Sequence, residues 1–366
     1  MNPSLAKYHP VRFQRYMSSF FDQTVSEFQA RSEADRERYR GLLFSSIMED
    51  RLQEMVESNA SALPEDVTTS PEGWTEFVSS VVDAYRDYDS SGQNVFEIQP
   101  QLLEMLKHTD VDDLTFCQMQ FPFTCFYIYW GKGSQIKLWT NEHRVDGCYI
   151  TNATFPEHPK EPLLWITFTS VNQGSDFTQD KPVVGFLADE RFYTLRLALH
   201  ENKTVGLSLE EAIQEEHESP EYRRLVAEQW LEYLPDLTRL ALNCMCYLNY
   251  SKRDVEFRYP DETPGKLIAK LERSNKPKDK ARNQSKLESM GFRKVFVCGS
   301  NAQKQGAVGT GREVSPHWRR GHWRNQAHGP ERKSHRLIWI HPTLVRKDKG
   351  EPAVGHLYSF EEEHKA

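Results

Sequence analysis

The segment 315–345 concentrates side chains that could bind or cleave phosphodiesters. It holds five of the 13 histidines of the chain, and three tryptophans and five arginines lie among them. Guanidinium groups bind phosphates in a bidentate manner, and indole rings stack on unpaired bases. The pattern therefore predicts a surface that binds RNA or another single strand. The residues expected to bind it are Arg319, Arg320, Trp323, Arg324, Arg332, Arg336 and Trp339.

Three other interpretations of this segment stay open. His317 and His322 could act as general base and acid at a scissile phosphate, with neighbouring arginines stabilising the transition state, which is metal-independent ribonuclease chemistry. Histidines could instead ligate a metal, but no Cys or carboxylate joins them, and arginines are unfavourable beside a cation. We therefore expect no metal site and no cofactor. In the third interpretation, the histidines and tryptophans only brace a small irregular domain.

Two short strands are expected to position these residues. Residues 336–345 alternate, so that Leu337, Trp339 and His341 share one face while the two isoleucines between them take the other. Residues 294–298 are also predicted to form a strand, in which Lys294 is followed by apolar residues that include the branched Val295 and Val297. We expect the two segments to pair in a small sheet that presents the loop 319–332.

The charge of the chain is divided between two regions of opposite sign. The 366 residues have a formal net charge of −7, but residues 251–349 contain 24 Lys and Arg against 10 Asp and Glu, a net charge of +14. The rest of the chain therefore carries −21. A basic block of this size favours a phosphate-rich partner, because each Lys or Arg that neutralises a phosphate releases a counterion. A solvated surface, or one that docks on the acidic part of the chain, is the alternative.

The remaining periodicities predict an α+β fold, with N-terminal helices, a central antiparallel sheet packed by long helices, and a small basic C-terminal α+β module. Apolar residues from Phe13 to Phe28 recur at helical spacing. We expect this helix to dock on the body, with a homodimer contact as the alternative. Five strands are predicted between 124 and 199, among them 183–187, and Ser208 is predicted to cap the helix 209–216.

Shifts in composition divide the chain into four parts. Residues 1–94 form the helical region and 95–260 the α+β body. Residues 261–290 are basic and poor in apolar side chains, so they are predicted to be a linker, and residues 291–366 form the His-, Arg- and Trp-rich module. A double-stranded DNA binder is less favoured, because the chain contains no recognisable helix-turn-helix.

Several protein classes are excluded or disfavoured by composition. With a mean hydropathy of −0.70, the chain has no apolar run near the ~20 residues that span a bilayer. The first residues mix charges with apolar positions, which disfavours a signal peptide. None of the six cysteines forms a CxxC pair, so we expect reduced thiols. These features predict a cytoplasmic protein with no membrane partner.

The C-terminal motif also resembles a known family. Residues 316–323, with the pattern PHxRRGHW, followed by Arg336, Trp339, Pro342 and Val345, are similar to the C-terminal signature of the type V-A anti-CRISPR inhibitor that represses biogenesis of the RNA-guided effector nuclease. Weaker similarity covers the helix and aromatic strand within 96–130 and the apolar helix within 234–250.

The resemblance implies a protein encoded by a phage or mobile element and acting in the cytoplasm of a bacterial host. Members of this type are expected to recognise a nascent target peptide, such as the N-terminus of a type V CRISPR effector, and to cause loss of its mRNA. The expected partners are therefore that peptide and RNA, including mRNA on the ribosome. A ribonuclease toxin acting through His317 or His322 is the alternative, which leaves open whether the protein is an enzyme.

Overall fold

A seven-stranded sheet forms the centre of the computed structural model. The structure describes residues 7–38, 40–59, 71–131, 136, 142–153, 162–174, 183–200, 202–220, 228, 230–250, 253–261, 263–290, 292–302, 306–307 and 317–345. The sheet has the strand order β6-β5-β4-β3-β1-β8-β7. Its strands are β1 (Val95–Ile98), β3 (Cys125–Tyr129), β4 (His143–Ala153), β5 (Leu163–Asn172), β6 (Glu190–Ala198), β7 (Val255–Arg258) and β8 (Val295–Cys298).

The central sheet is mixed. Strands β3 to β6 form the antiparallel meander that short connections predict. Strand β1, however, is parallel to both of its neighbours, β3 and β8. The helix α5 (Pro100–Lys107) lies in the crossover from β1 to β3, which two parallel strands require. The fold is therefore α+β as expected, with two parallel pairs added to the antiparallel part.

Helices flank the sheet. Besides α5, the described helices are α1 (His9–Ala30), α2 (Glu33–Arg38), α3 (Arg40–Asn59), α4 (Pro71–Ser90), α6 (Val183–Asp189), α7 (Val205–His217), α8 (Leu234–Asn249), α9 (Gly265–Glu272) and α10 (Pro277–Ser289). Helix α1 docks on the body as predicted, because Phe13 is fully buried against Tyr85 of α4 and Phe186 of α6. No helix in the described part of the chain is long and apolar enough to cross a membrane.

Arg12 attaches α1 to the central sheet through a buried ionic cluster. Its guanidinium donates to both carboxylate oxygens of Glu190 at 2.9 and 3.1 Å, and to Asp146 at 2.8 Å. Burial alone would lower the pKa of Arg12, but the two carboxylates raise it above its ordinary value. One cation cannot neutralise two buried anions, and burial raises the pKa of Glu190 to about 8. The cluster therefore places one cation between two buried carboxyl groups, and Glu190 binds a proton more readily than an exposed glutamate does.

Two smaller three-stranded sheets contain the rest of the described strands. The first has the order β12-β11-β2 and the second the order β10-β13-β9. Their strands are β2 (Thr109–Asp110), β9 (Gly306–Ala307), β10 (His317–Arg319), β11 (Gly321–His328), β12 (Ser334–Ile340) and β13 (Thr343–Val345). The predicted pairing of residues 294–298 with 336–345 is wrong. Strand β8 instead lies in the central sheet, where its apolar side chains Val295 and Val297 are buried.

Three local predictions also differ from the structure. Residues 183–187 belong to helix α6 rather than to a strand, because Phe186 stacks on Tyr16 of α1 with the ring centroids 4.7 Å apart. Helix α7 begins earlier than predicted, capped by Thr204, which leaves Ser208 buried within it. The segment 261–290, predicted as a linker, contains α9 and α10.

Candidate nucleic-acid interface

A β-hairpin of β11 and β12 carries most of the residues that the sequence singles out. The register pairs Trp323 with Trp339 and Arg324 with Ile338. Because side chains alternate along a strand, the two tryptophans project from one face of the hairpin and Arg324 from the other. The hairpin therefore separates the predicted site into an inner, tryptophan-bearing face and an outer, arginine-bearing face.

The inner face is part of the protein core. Trp323 and Trp339 are only 6% and 4% exposed, and their rings stack on each other with centroids 5.5 Å apart. Tyr250 packs edge-on against both rings, and Tyr247 packs edge-on against Trp339. The faces of both indoles are thus covered by this chain's own side chains. In this arrangement they anchor the hairpin to the body and are not open to a nucleic-acid base.

Hydrogen bonds from the two indoles fix the hairpin on the body. The Trp323 Nε1–H donates to Oδ1 of Asn243 on α8 at 2.7 Å, and the Trp339 Nε1–H donates to Oγ1 of Thr109 at 3.1 Å. The Asn243 amide in turn donates to the Thr109 carbonyl at 2.8 Å. No motif in the sequence singles out Asn243 or Thr109. The sequence does contain a signal for Asn243, because an asparagine within the apolar face of a helix is expected to be buried, and a buried amide requires hydrogen-bond partners.

The outer face is exposed and basic. His322, Arg324 and Arg336 are all exposed, and Ile340 at its end is 39% exposed. Arg336 lies two residues along β12 from Ile338, the partner of Arg324, which makes the two arginines diagonal neighbours about 7–8 Å apart. Within the described residues neither guanidinium forms an ion pair. Two such groups side by side can each bind one phosphate along a strand.

The other predicted arginines surround this face. Arg319 ends β10 and is exposed. Arg320 lies between β10 and β11. Burial raises the pKa of Asp236 on α8, and the positive charge of Arg320 opposes that increase. Arg332 lies in the hairpin turn with a φ of 56°, a left-handed conformation that holds an exposed side chain at the tip. The arginines therefore extend from the base of the hairpin to its turn.

The two candidate catalytic histidines lie on different strands. His322 is in β11, paired with Asp110 of β2, and its side chain is exposed on the outer face. The backbone of His317 is in β10, paired with Val345 of β13, while its side chain lies outside the described residues. Among the residues that the structure describes, no group of three His, Cys, Asp or Glu is placed to hold a metal ion.

Gly321 allows β11 to begin close to the neighbouring chain. A Cβ atom at this position would lie 2.7 Å from the Ile340 carbonyl oxygen and 2.7 Å from the Pro342 ring. Its amide donates to the His108 carbonyl at 2.8 Å, which continues the contact with β2. The glycine of the PHxRRGHW motif thus has a packing role, since no larger residue fits between these groups.

Comparison with known proteins identifies the family. The model of the anti-CRISPR type V subtype A2 family, AcrVA2-like, matches residues 96–347. The chain belongs to this family. The match begins in β1 and ends just after β13, so it includes the central sheet and the whole hairpin, while α1 to α4 precede it.

Membership of the AcrVA2-like family confirms the resemblance of the motif and assigns the chain the role of an anti-CRISPR inhibitor. Among solved structures, the crystal structure of AcrVA2 matches with 13% sequence identity and a TM-score of 0.36, covering 88% of this chain and 98% of that one. Comparison with curated proteins gives no match.

Proposed function

We propose that this AcrVA2-like protein blocks production of a type V CRISPR effector by recognising the effector's nascent polypeptide and causing loss of its mRNA. The outer face of the hairpin is the surface that meets RNA in this proposal. The observation that carries it is the placement of Arg324 and Arg336 side by side, exposed and without an ion pair among the described residues. Membership of an anti-CRISPR type V family supports the choice of target.

The arginine face suits RNA held on or near a ribosome. Arginines bind phosphates without reading the base sequence, so they would hold any transcript presented to them. Selectivity would then come from the peptide, which the acidic remainder of the chain would recognise. The stacked tryptophans hold the hairpin rigidly on α8 and thereby fix the direction in which the arginines point. Rigid support of this kind limits the entropy lost on binding.

The experiment co-expresses the protein in bacteria with a type V effector and measures effector mRNA and effector protein. Two altered genes separate recognition of peptide from recognition of RNA. Synonymous recoding of the first codons changes the RNA alone, whereas compensated frameshifts around those codons change the peptide and leave the RNA almost intact. We expect mRNA loss with the recoded gene and none with the frameshifted gene. The opposite pattern would contradict peptide recognition.

Variants of the hairpin test the RNA-facing surface. Arg324→Gln/Arg336→Gln removes two charges from the outer face, and we expect the effector mRNA to recover by several fold. Arg31→Gln/Arg38→Gln is the matched control, because it removes two exposed arginines, one just after α1 and one at the end of α2, outside the region that matches the family. Equal recovery in both variants, or none in the hairpin variant, would contradict the assignment of this face.

A further inference from the structure

The helices α9 and α10 form a small helical hairpin beside the central sheet. It has its own apolar cluster, in which Leu271, Leu287 and Phe292 are buried. Val11 of α1 and Tyr259 after β7 pack against this cluster from the body. The amide of Asn283 on α10 donates to the Ser274 hydroxyl at 2.8 Å and joins the two helices near their connection. The two helices are therefore packed in a fixed arrangement and present a defined surface.

A cleft of about 850 Å³ lies between the two helices. Its lining contains five exposed cations and one carboxylate: Lys266, Lys270, Arg273, Lys276, Arg282 and Asp279. The helical spacing explains how they come together, since Lys266 and Lys270 are four residues apart on α9 and therefore share a face. No aromatic side chain is among the lining residues. The chemistry of the cleft is thus that of a site for anions, and it contains no surface on which a base could stack.

The cations of the cleft are not neutralised by carboxylates from the rest of the described chain. None of the five forms an ion pair within the described residues, whereas Arg258, shortly before α9, is paired with both Glu256 and Asp261. Like charges held together in a concave surface repel one another and attract counterions strongly. A polyanion would relieve that repulsion and release the counterions on binding.

We infer that this cleft binds the phosphate backbone of single-stranded RNA. The inference rests on the proposed function and deepens it, because it adds a second RNA contact that is remote in sequence from the arginines of the hairpin. The volume lies within the range of small-molecule pockets, about 300–1,000 Å³, and so accommodates a few phosphates and not a double helix. A flexible single strand can bend into a concave cleft, whereas a duplex is stiff over about 150 base pairs.

The test uses the full chain and a fluorescent uridine oligonucleotide, with binding measured by anisotropy over a series of salt concentrations. Lys270→Gln/Arg282→Gln removes one cation from each wall of the cleft. We expect about tenfold weaker binding, and a salt slope reduced by about 1.4, since each lost phosphate contact on a single strand removes about 0.7. Circular dichroism verifies that the variant is folded.

Lys278→Gln/Lys280→Gln is the matched control, because both lysines are exposed on α10 but do not line the cleft. We expect it to weaken binding by less than about threefold. Equal weakening by the control would contradict binding in the cleft, because it would show that RNA responds only to the overall positive charge of the two helices. Displacement of the RNA by tripolyphosphate at an equal phosphate concentration would assign the cleft to a small polyphosphate instead, and equal binding of duplex DNA would also overturn the inference.

The hairpin variant Arg324→Gln/Arg336→Gln separates this inference from the proposed function. If that variant loses mRNA degradation in cells while the cleft variant binds RNA normally in vitro, the proposed function stands and the cleft inference fails. If the cleft variant binds RNA tenfold more weakly while frameshifting the effector peptide has no effect in cells, the cleft stands and the proposed function fails.

Discussion

Arg12 and Arg324 are the same residue type in opposite surroundings. Arg12 is 2% exposed and makes charge-assisted hydrogen bonds to Asp146 and Glu190. Arg324 is exposed on the hairpin and pairs with no carboxylate among the described residues. The first guanidinium is enclosed in the fold, where it holds α1 against the sheet. The second is available to an external anion.

The two arginines differ in which carboxylates would lose their cation if the arginine were replaced. Two buried carboxylates depend on Arg12, and an uncompensated charge in a low-dielectric interior is strongly unfavourable. No carboxylate among the described residues pairs with Arg324, so we expect its loss to cost little stability. Burial of the partner, and not the identity of the cation, therefore separates a structural arginine from one that is accessible to an external ligand.

Replacing the two arginines tests this comparison with the largest expected effect. Arg12→Leu should lower the free energy of unfolding by about 3–5 kcal/mol, because it leaves Asp146 buried without its cation. Arg324→Leu should change it by less than about 0.5 kcal/mol, as is usual for exposed positions. Urea unfolding followed by circular dichroism measures both. Comparable losses of stability in the two variants would show that Arg324 also has a structural partner.

The hairpin offers a second comparison, between its two faces. Trp339→Ala should lower the free energy of unfolding by about 3–5 kcal/mol, because it opens a cavity beside Trp323 and removes the hydrogen bond to Thr109. Ile340→Ala, one residue further on the outer face, should cost less than about 1 kcal/mol since its side chain is already 39% exposed. A stable Trp339→Ala protein that had lost only RNA affinity would instead indicate that the indole contacts bases.

The proton on Glu190 gives an effect that depends on pH and sharpens the account of the buried cluster. Its folded pKa of about 8 lies above the ordinary value of 4.5. Its stabilising contribution is therefore fully present below about pH 4.5 and is lost as the pH rises through about 8. Glu190→Gln cannot titrate, so the wild type should lose stability relative to this variant by up to about 1.4 kcal/mol per pH unit in that window.

Thermal unfolding of both proteins between pH 5 and pH 9 measures this difference. The exposed cluster on the hairpin should contribute no comparable slope, so Arg324→Gln serves as the control. Parallel stability curves for the wild type and Glu190→Gln would mean that Glu190 is ionised throughout, and that Arg12 balances both carboxylates.

Local patterns predicted much of the fold. The aromatic residues of α1 recur at helical spacing and dock on the body, and four of the five strands predicted between 124 and 199 are observed, as β3 to β6. Residues 183–187 resisted prediction because they contain branched residues typical of strands, whereas the helix is stabilised by contacts of Phe186 with Tyr16 and Phe13 of α1. The segment 261–290 is rich in charged residues, and its two helices pack around Leu271, Leu287 and Phe292, which lie on three successive parts of the chain.

The sequence predicted which residues form the candidate site but not how they are arranged in space. The alternation along 336–345 already placed Leu337 and Trp339 on one face and the isoleucines on the other. Which face would be buried was not decidable, because that depends on Asn243, which lies 80 residues away from Trp323. Arg324 and Arg336 therefore stay candidates for binding RNA, while the tryptophans acquire a packing role.

The sequence by itself determined the family, through a motif of eight residues, and the segregation of charge into an acidic and a basic region. Both properties belong to residue types and short spacings, which do not require a folded chain. The tertiary structure decided which arginine is enclosed by carboxylates and which is exposed, and whether an indole meets the core or the solvent. Those outcomes depend on contacts between residues far apart in the chain, and burial, which sets their energies, exists only once the chain has folded.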